Sequence, residues 1–285
     1  MICAWKELLN ILPIWMRKEV DSLGKEEAQD IRLRLDQPLE VVMKHESKWI
    51  SGQVTPEDLN FCVNAASKYS PWVAGTISQG FIAAPGGHRI GICGEAVIKE
   101  GRMAGIRNIT SLCIRVARDF PGIGQAAAQL SGSVLIIGAP GWGKTTLLRD
   151  LIRQKSHQGF QISVVDERGE LFPTDFSRGE RTSVLTGCPK AQGIELLLRT
   201  MGPQIIAVDE ITAKEDCEAL KAACCCGVSL IATAHASSLN DYLHREVYAP
   251  LVRQNLFEHI LILHPDKQWH LERSGRWTTN GSVRY

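Results

Sequence analysis

Leu8, Leu9, Leu12 and Trp15 recur at helical spacing, so the chain is expected to open on an amphipathic helix within residues 5–29. The period then shortens to two. Residues 31–35 alternate apolar and basic side chains, Asp36-Gln37-Pro38 supplies turn chemistry, and residues 39–43 form a second expected strand. Thr55 followed by Pro56 marks a helix start, with Thr as N-cap and Pro at the first helical position. That helix is expected to reach residue 69, ahead of Pro71, and a short helix to follow near 72–78. Gly-rich alternation over 82–114 predicts strands at 88–93 and 95–99 on either side of Gly94, and a further strand at 111–117. This half reads as α+β with an antiparallel meander.

Around Asp119-Phe120-Pro121-Gly122 the pattern changes. Continuous apolar runs at 134–137, 162–165, 205–208 and 230–234 alternate with helical stretches at 145–154, 192–201 and 213–226. Buried runs alternating with helices predict a mostly parallel sheet. The expected organisation is an N-terminal α+β domain over 1–120 and a larger α/β domain over 121–285. No internal repeat or low-complexity segment is present.

Composition adjusts this picture only slightly. The 285 residues are 44% hydrophobic, enough for a sizeable core. Lys and Arg total 32 against 31 Asp and Glu, and a net charge of +1 gives no general attraction to nucleic acid or acidic membrane. Lys6 and Glu7 interrupt the N-terminal apolar stretch, which reads as an amphipathic helix rather than a signal peptide. No apolar run approaches the roughly 18–20 residues of a membrane span. A soluble, cytoplasmic protein is expected, with any membrane contact peripheral. The nine cysteines include no CxxC pair and read as reduced thiols.

The sharpest local signal is Gly138-Ala-Pro140-Gly141-Trp-Gly143-Lys144-Thr145, which fits GxxxxGK[ST] between an apolar strand and a helix. Glycines allow the backbone to wrap phosphate oxygens with N–H groups pointing inward, and the helix N-terminus adds partial positive charge. Lys144 is placed for the β- and γ-phosphates, Thr145 for Mg²⁺ and Thr146 for the α-phosphate. ATP and Mg²⁺ are the expected cofactors.

Three later strands end in polar groups. The run 205–208 leads into Asp209-Glu210, where Asp209 suits the Mg²⁺ shell and Glu210 the polarisation of an attacking water. The run 162–165 leads into Asp166-Glu167, and 230–234 into His235. If these strands are parallel, all three ends share one sheet edge with the phosphate loop. Arg199, just ahead of the Asp-Glu strand, is a further candidate.

In order along the chain, GAPGWGKTT, VVDERGE, LLRTMGPQIIAVDEIT and ATAHA resemble the Walker A, acidic box, Walker B and histidine box of the secretion-ATPase superfamily. That superfamily comprises type II and type IV secretion and pilus motors. In the first half, IRLRLDQPLEVV, HRIGICGEAV and SLCIRVAR sharpen this to a resemblance to the stage III sporulation protein AA family, over nearly the whole chain. The resemblance implies a RecA-like P-loop domain and a mother-cell ATPase serving a channel complex between mother cell and forespore. It assigns Lys144 and Thr145 to phosphate and Mg²⁺, Asp209 and Glu210 to the Walker B pair, Glu167 to the acidic box and His235 to the histidine box. It further implies a homo-oligomer, a hexameric ring, with N-domain arginines reaching the nucleotide; Arg89, Arg107 and Arg115 are the candidates. Two departures stand out. Asp166-Glu167-Arg168 occupies the place of the usual Glu-Asp-Pro, and Asp-Glu that of a frequent Gly-Glu.

The expected function is therefore an ATP-hydrolysing motor working with a membrane-embedded channel or secretion component. A nucleic-acid-dependent ATPase with the same core is the main alternative. The near-neutral charge and the lack of basic segments interleaved with aromatics argue against a nucleic-acid partner. A nucleotide-gated scaffold with little turnover is a third class, opposed by the presence of Glu210 and Glu167.

Overall fold

Pro13 divides the first expected helix in two. In the computed structural model, which describes residues 1–67, 80–173 and 176–273, α1 spans Trp5–Ile11 and α2 spans Ile14–Leu23. Leu12 and Pro13 between them are extended, because proline lacks the N–H that would continue the first helix. Gly24, at φ 82, ends α2 four residues before the first strand begins. The third helix, α3 at Pro56–Ser67, starts as its sequence dictates. Thr55 Oγ1 accepts the Asp58 N–H at 3.2 Å, and Asp58 accepts the Thr55 N–H at 3.0 Å. The end expected at 68–69 and the short helix expected at 72–78 lie outside the described residues.

The chain divides into two compact units, Met1–Asp119 with Pro173–Phe176, and Phe120–Phe172 with Ser177–Tyr285. Among the described residues the first unit holds six strands: β1 (Ala28–Arg34), β2 (Leu39–Met43), β3 (Ser47–Ile50), β4 (Phe81–Ala83), β5 (Arg89–Lys99) and β6 (Arg102–Arg115). They form one antiparallel sheet in the order β3-β2-β1-β6-β5-β4. The order differs from a simple meander, since β6 returns to pair with β1. The two strands expected around Gly94 are one continuous strand. Gly94 sits at a register shift in it, and a Cβ there would lie 2.7 Å from the Arg107 carbonyl oxygen. The glycine thus permits close strand approach rather than a break. Leu8, Met16, Val20 and Leu59 from the helices, with Leu12 between the first two, pack with Ile31, Leu33, Ile90 and Ile114 from the sheet.

The second unit is a seven-stranded sheet: β7 (Val134–Gly138), β8 (Ile162–Asp166), β9 (Thr182–Thr186), β10 (Ile205–Ile211), β11 (Ser229–His235), β12 (His259–Leu263) and β13 (Trp269–Arg273). The order is β13-β12-β7-β11-β10-β8-β9, parallel throughout except for the antiparallel edge strand β13. Helix α4 (Lys144–His157) covers one face and helices α5 (Lys190–Thr200) and α6 (Lys214–Cys225) the other. Both faces of β7 are covered: Val134 and Ile136 join the α4 core, whereas Leu135 and Ile137 join the α5–α6 core. Strands buried on both faces need continuous apolar runs, which is the pattern these segments carry. All nine cysteines are free thiols. Among the described residues no helix is long and apolar enough to cross a membrane.

Candidate functional site

β7 delivers the chain into the loop 139–143, and α4 begins at Lys144. Gly141 and Gly143 take φ values of 77 and 102, backbone that L side chains rarely adopt. Gly138 is buried at the strand end, while Pro140 and Gly141 form the exposed crest. Lys144 is only 7% exposed. Its ammonium curls back over the loop, donating to the Gly138 carbonyl at 2.7 Å and the Ala139 carbonyl at 3.1 Å, with His235 Nδ1 at 3.2 Å. Burial lowers its pKa, while the charges of Asp209 and Glu210 pull it back up. Thr145 and Thr146 follow on the first helical turn, both half-buried. On the outer side, Lys267 from the β12–β13 turn donates to the Gly141 carbonyl.

The Asp209-Glu210 pair lies on a β-bulge. Val208 pairs with Ala232 and Ile211 with Ala234, so two residues of β10 face the single residue Thr233 of β11. Glu210 accommodates the extra residue by adopting φ 52, a left-handed conformation that costs a non-glycine residue about 1–2 kcal/mol. In a regular strand, consecutive side chains point to opposite faces. The bulge removes that constraint, and both carboxylates serve one edge. Thr233 satisfies both residues: its hydroxyl accepts the Glu210 N–H at 2.7 Å and donates to Asp209 Oδ1 at 2.6 Å. The other Asp209 oxygen accepts from Thr145 Oγ1 at 2.9 Å. The hydroxyl of the phosphate-loop helix and the carboxylate of β10 are thus already in contact.

Polar and charged groups then run across four neighbouring strand ends. Lys144 follows β7, and His235 ends β11. His235 Nε2 is 3.0 Å from Glu210 Oε1 on β10. Glu210 Oε2 is 3.4 Å from Arg168 Nη1, just beyond β8. The His235 backbone is fixed by Tyr248, whose hydroxyl accepts its N–H at 3.1 Å.

The acidic box divides its labour. Asp166 is buried, and its two oxygens accept the N–H groups of Glu170 at 3.0 Å and Leu171 at 2.9 Å. Burial raises its pKa, with the backbone N–H donors opposing. It is committed to shaping the turn. Glu167 is more open and is paired with Lys190, at the start of α5.

Arg199 is not brought to this cluster. It lies in the last turn of α5, whose first residue, Lys190, is the one at the site, and it pairs with Glu195 at 3.2 Å on an exposed face. Proximity in sequence to β10 suggested it, but a helix antiparallel to the strand carries its far end away from the strand's C-terminus. In the first unit, Arg89 stacks over the Phe81 ring at 3.9 Å, Arg107 pairs with Glu95 at 3.1 Å and Arg115 lies 3.6 Å from Asp30. Sequence reading passed over Thr233, Lys190, Tyr248 and Lys267. Thr233 left a signal, as a lone hydroxyl inside an otherwise apolar strand. The other three lie on elements remote in sequence from any motif.

Comparison with known proteins agrees with this architecture. The family described as "Sporulation stage III, protein AA" matches residues 4–281. The Stage III sporulation protein AA of Bacillus subtilis (strain 168) is 33% identical over 276 residues, covering 90% of each chain. Among solved structures, the pilus retraction motor PilT with bound ADP is similar with a TM-score of 0.61 at 17% identity, covering 92% of this chain and 78% of that one. The Legionella pneumophila ATPase DotB is similar with a TM-score of 0.57 at 19% identity, covering 92% and 80%. These likenesses establish a RecA-like P-loop fold of the kind found in secretion and pilus-motor ATPases. With its family model matched from residue 4 to residue 281, the chain belongs to the sporulation stage III, protein AA family.

Proposed function

We infer that this protein binds ATP with Mg²⁺ at residues 138–146 and hydrolyses it as a motor of the secretion-ATPase type. One observation carries the reading: Thr145 Oγ1 and Asp209 Oδ2 meet at 2.9 Å beside a buried Lys144. These are two hard oxygen donors of the kind Mg²⁺ takes, next to the cation that a phosphate tail requires. The pairing fits an ion entering between hydroxyl and carboxylate, with the loop N–H groups and Lys144 left for phosphate. When bound, Mg²⁺ neutralises charge on the phosphate oxygens. Lys144 exchanges its loop carbonyls for the β- and γ-phosphates. Thr146 stands one residue further on, toward the α-phosphate. Glu210, redirected by the bulge in β10, accepts a proton from the attacking water. Glu167 is engaged by Lys190 and is therefore less available to the attacking water. His235, between Lys144 and Glu210, is placed to register whether Lys144 has left for the phosphate.

Family membership supports a role in sporulation. The finer reading is a homo-oligomeric ring, hexameric by analogy, that works at a membrane-embedded channel from the cytoplasmic side. Phosphate release from the purified chain with ATP tests the enzyme, with and without Mg²⁺ and with and without single-stranded DNA or RNA. Mg²⁺-dependent turnover indifferent to nucleic acid is expected. Turnover that requires nucleic acid would transfer the protein to the helicase and recombinase class, and no turnover under any condition would leave a scaffold.

A further inference from the structure

The phosphate loop contributes one motif cation, Lys144, to a site that also contains Asp209 and Glu210. A triphosphate brings more negative charge than Lys144 and one Mg²⁺ balance, and its terminal phosphate gains charge density as it leaves. NTPases meet this with an arginine, from the same chain or a neighbour. On the nucleotide reading above, we propose that Arg168 is that second cation, acting in its own chain by exchanging Glu210 for the terminal phosphate of bound ATP.

Three observations converge on it. Arg168 ends the series of charged groups that starts at the phosphate loop, and so faces the same sheet edge as Lys144, His235 and Glu210. Its turn is tied by hydrogen bonds to the phosphate-loop helix. Gly169 donates to the Asp166 carbonyl at 3.2 Å, and the Asp166 carboxylate accepts two further backbone N–H groups. Arg149 of α4 donates to the carbonyls of Glu170 and Leu171, the former at 2.9 Å. The base of Arg168 is therefore held in fixed relation to the helix that starts at Lys144.

The third observation is availability. Two cations stand at the β8 end. Lys190 is committed, since its side chain is 8% exposed and engaged with Glu167. Arg168 is 61% exposed and makes a long 3.4 Å contact with Glu210. An exposed ion pair of that length contributes little and is readily exchanged. Glu210 turns one oxygen to Arg168 and the other to His235, whereas a terminal phosphate offers the guanidinium two oxygens and more charge, so it wins the competition. The exchange leaves Glu210 without its Arg168 contact and with His235 alone beside it.

The test is binding by calorimetry in the full chain, with Mg²⁺ and either ADP or a non-hydrolysable ATP analogue. Arg168→Ala is expected to weaken the analogue about tenfold or more while leaving ADP unchanged, with Arg168→Lys intermediate. Thermal unfolding without nucleotide should not move, because the side chain is exposed. If Arg168→Ala binds the analogue as tightly as the wild type, the assignment is wrong while nucleotide binding stands. If the wild type binds neither nucleotide, the underlying reading falls with it. Hydrolysis regained on mixing inactive Arg168→Ala and Lys144→Ala chains would place the arginine in a neighbour's site and overturn its action in its own chain.

Discussion

Thr233 holds Asp209 through a fully buried hydroxyl 2.6 Å from the carboxylate, and the residue after Asp209 donates its own N–H to the same oxygen. A single side chain on β11 therefore sets both the rotamer of the expected metal ligand and the backbone of the expected base. A charged oxygen bonded to a neutral buried donor is the stronger class of protein hydrogen bond.

Thr233→Val, nearly the same shape without the hydroxyl, should lower stability by about 1.5–3 kcal/mol, since it strips a partner from a carboxylate and from a backbone N–H. It should also raise the Mg²⁺ concentration needed for half-maximal hydrolysis. Thr233→Ser should recover the Mg²⁺ dependence and most of the stability. Urea unfolding and Mg²⁺ titrations of activity measure the two effects. An unchanged Mg²⁺ requirement in Thr233→Val would reduce the residue to a packing role.

Lys144→Ala should weaken ATP binding roughly 100-fold, because the phosphate tail loses its charged donors from the loop. The variant should still fold, as the carbonyls of Gly138 and Ala139 lose only a side-chain partner. Calorimetry reports the affinity and circular dichroism the fold. Undiminished affinity in a folded variant would remove the phosphate site from this loop.

Glu210→Gln keeps the shape and removes the charge, so binding should persist while turnover falls roughly 10²–10⁴-fold. Glu167→Gln should cost less, since Lys190 already occupies that carboxylate. Single-turnover hydrolysis separates the two. The reverse ranking would move the base to the acidic box.

Asp241 gives a pH signature away from the chemistry. Arg245 and the Ser237 N–H hold its pKa at about 2 against an ordinary 3.8. A lowered folded-state pKa means stability that is present above the unfolded value and is lost as pH falls through the folded one. The full shift corresponds to about 2 kcal/mol, and with the side chain 28% exposed screening reduces it to about 1 kcal/mol. Wild type should exceed Asp241→Asn by that margin at pH 6, and the gap should narrow from pH 4 toward pH 2. Urea midpoints across that range decide it; a gap that does not narrow would show that charge is not its origin.

The sequence made the four central strands legible because each is an apolar run buried on both faces, and the site was legible wherever a motif closes locally. The edge strands β9 and β13 went unread because their burial is partial, and the interior strand β12 went unread although it is a buried apolar run, because no motif stands at its end. The bulge was also hidden. Asp209 and Glu210 are plain in the string, but their shared direction depends on Thr233, on a strand brought alongside by a crossover. Pro13 was visible and underweighted against the apolar periodicity on both sides of it. Arg199 was the opposite failure, near in sequence and remote in space.

The sheet order has a consequence for how competence arises during folding. Lys144, Arg168, Glu210 and His235 follow or end β7, β8, β10 and β11, yet in the sheet β11 and β10 lie between β7 and β8. The last of the four strands made must therefore insert between two made earlier. Until it does, Lys144 has no His235, Glu210 has no Thr233 at its N–H, and the two halves of the charged series are unconnected. A chain truncated before residue 229, or one with β11 locally released, retains the whole phosphate loop and both acidic strand ends but not the arrangement that joins them. On the proposed function, nucleotide occupancy would report on completion of the sheet, and by mass action a bound nucleotide would favour the finished sheet over its open forms.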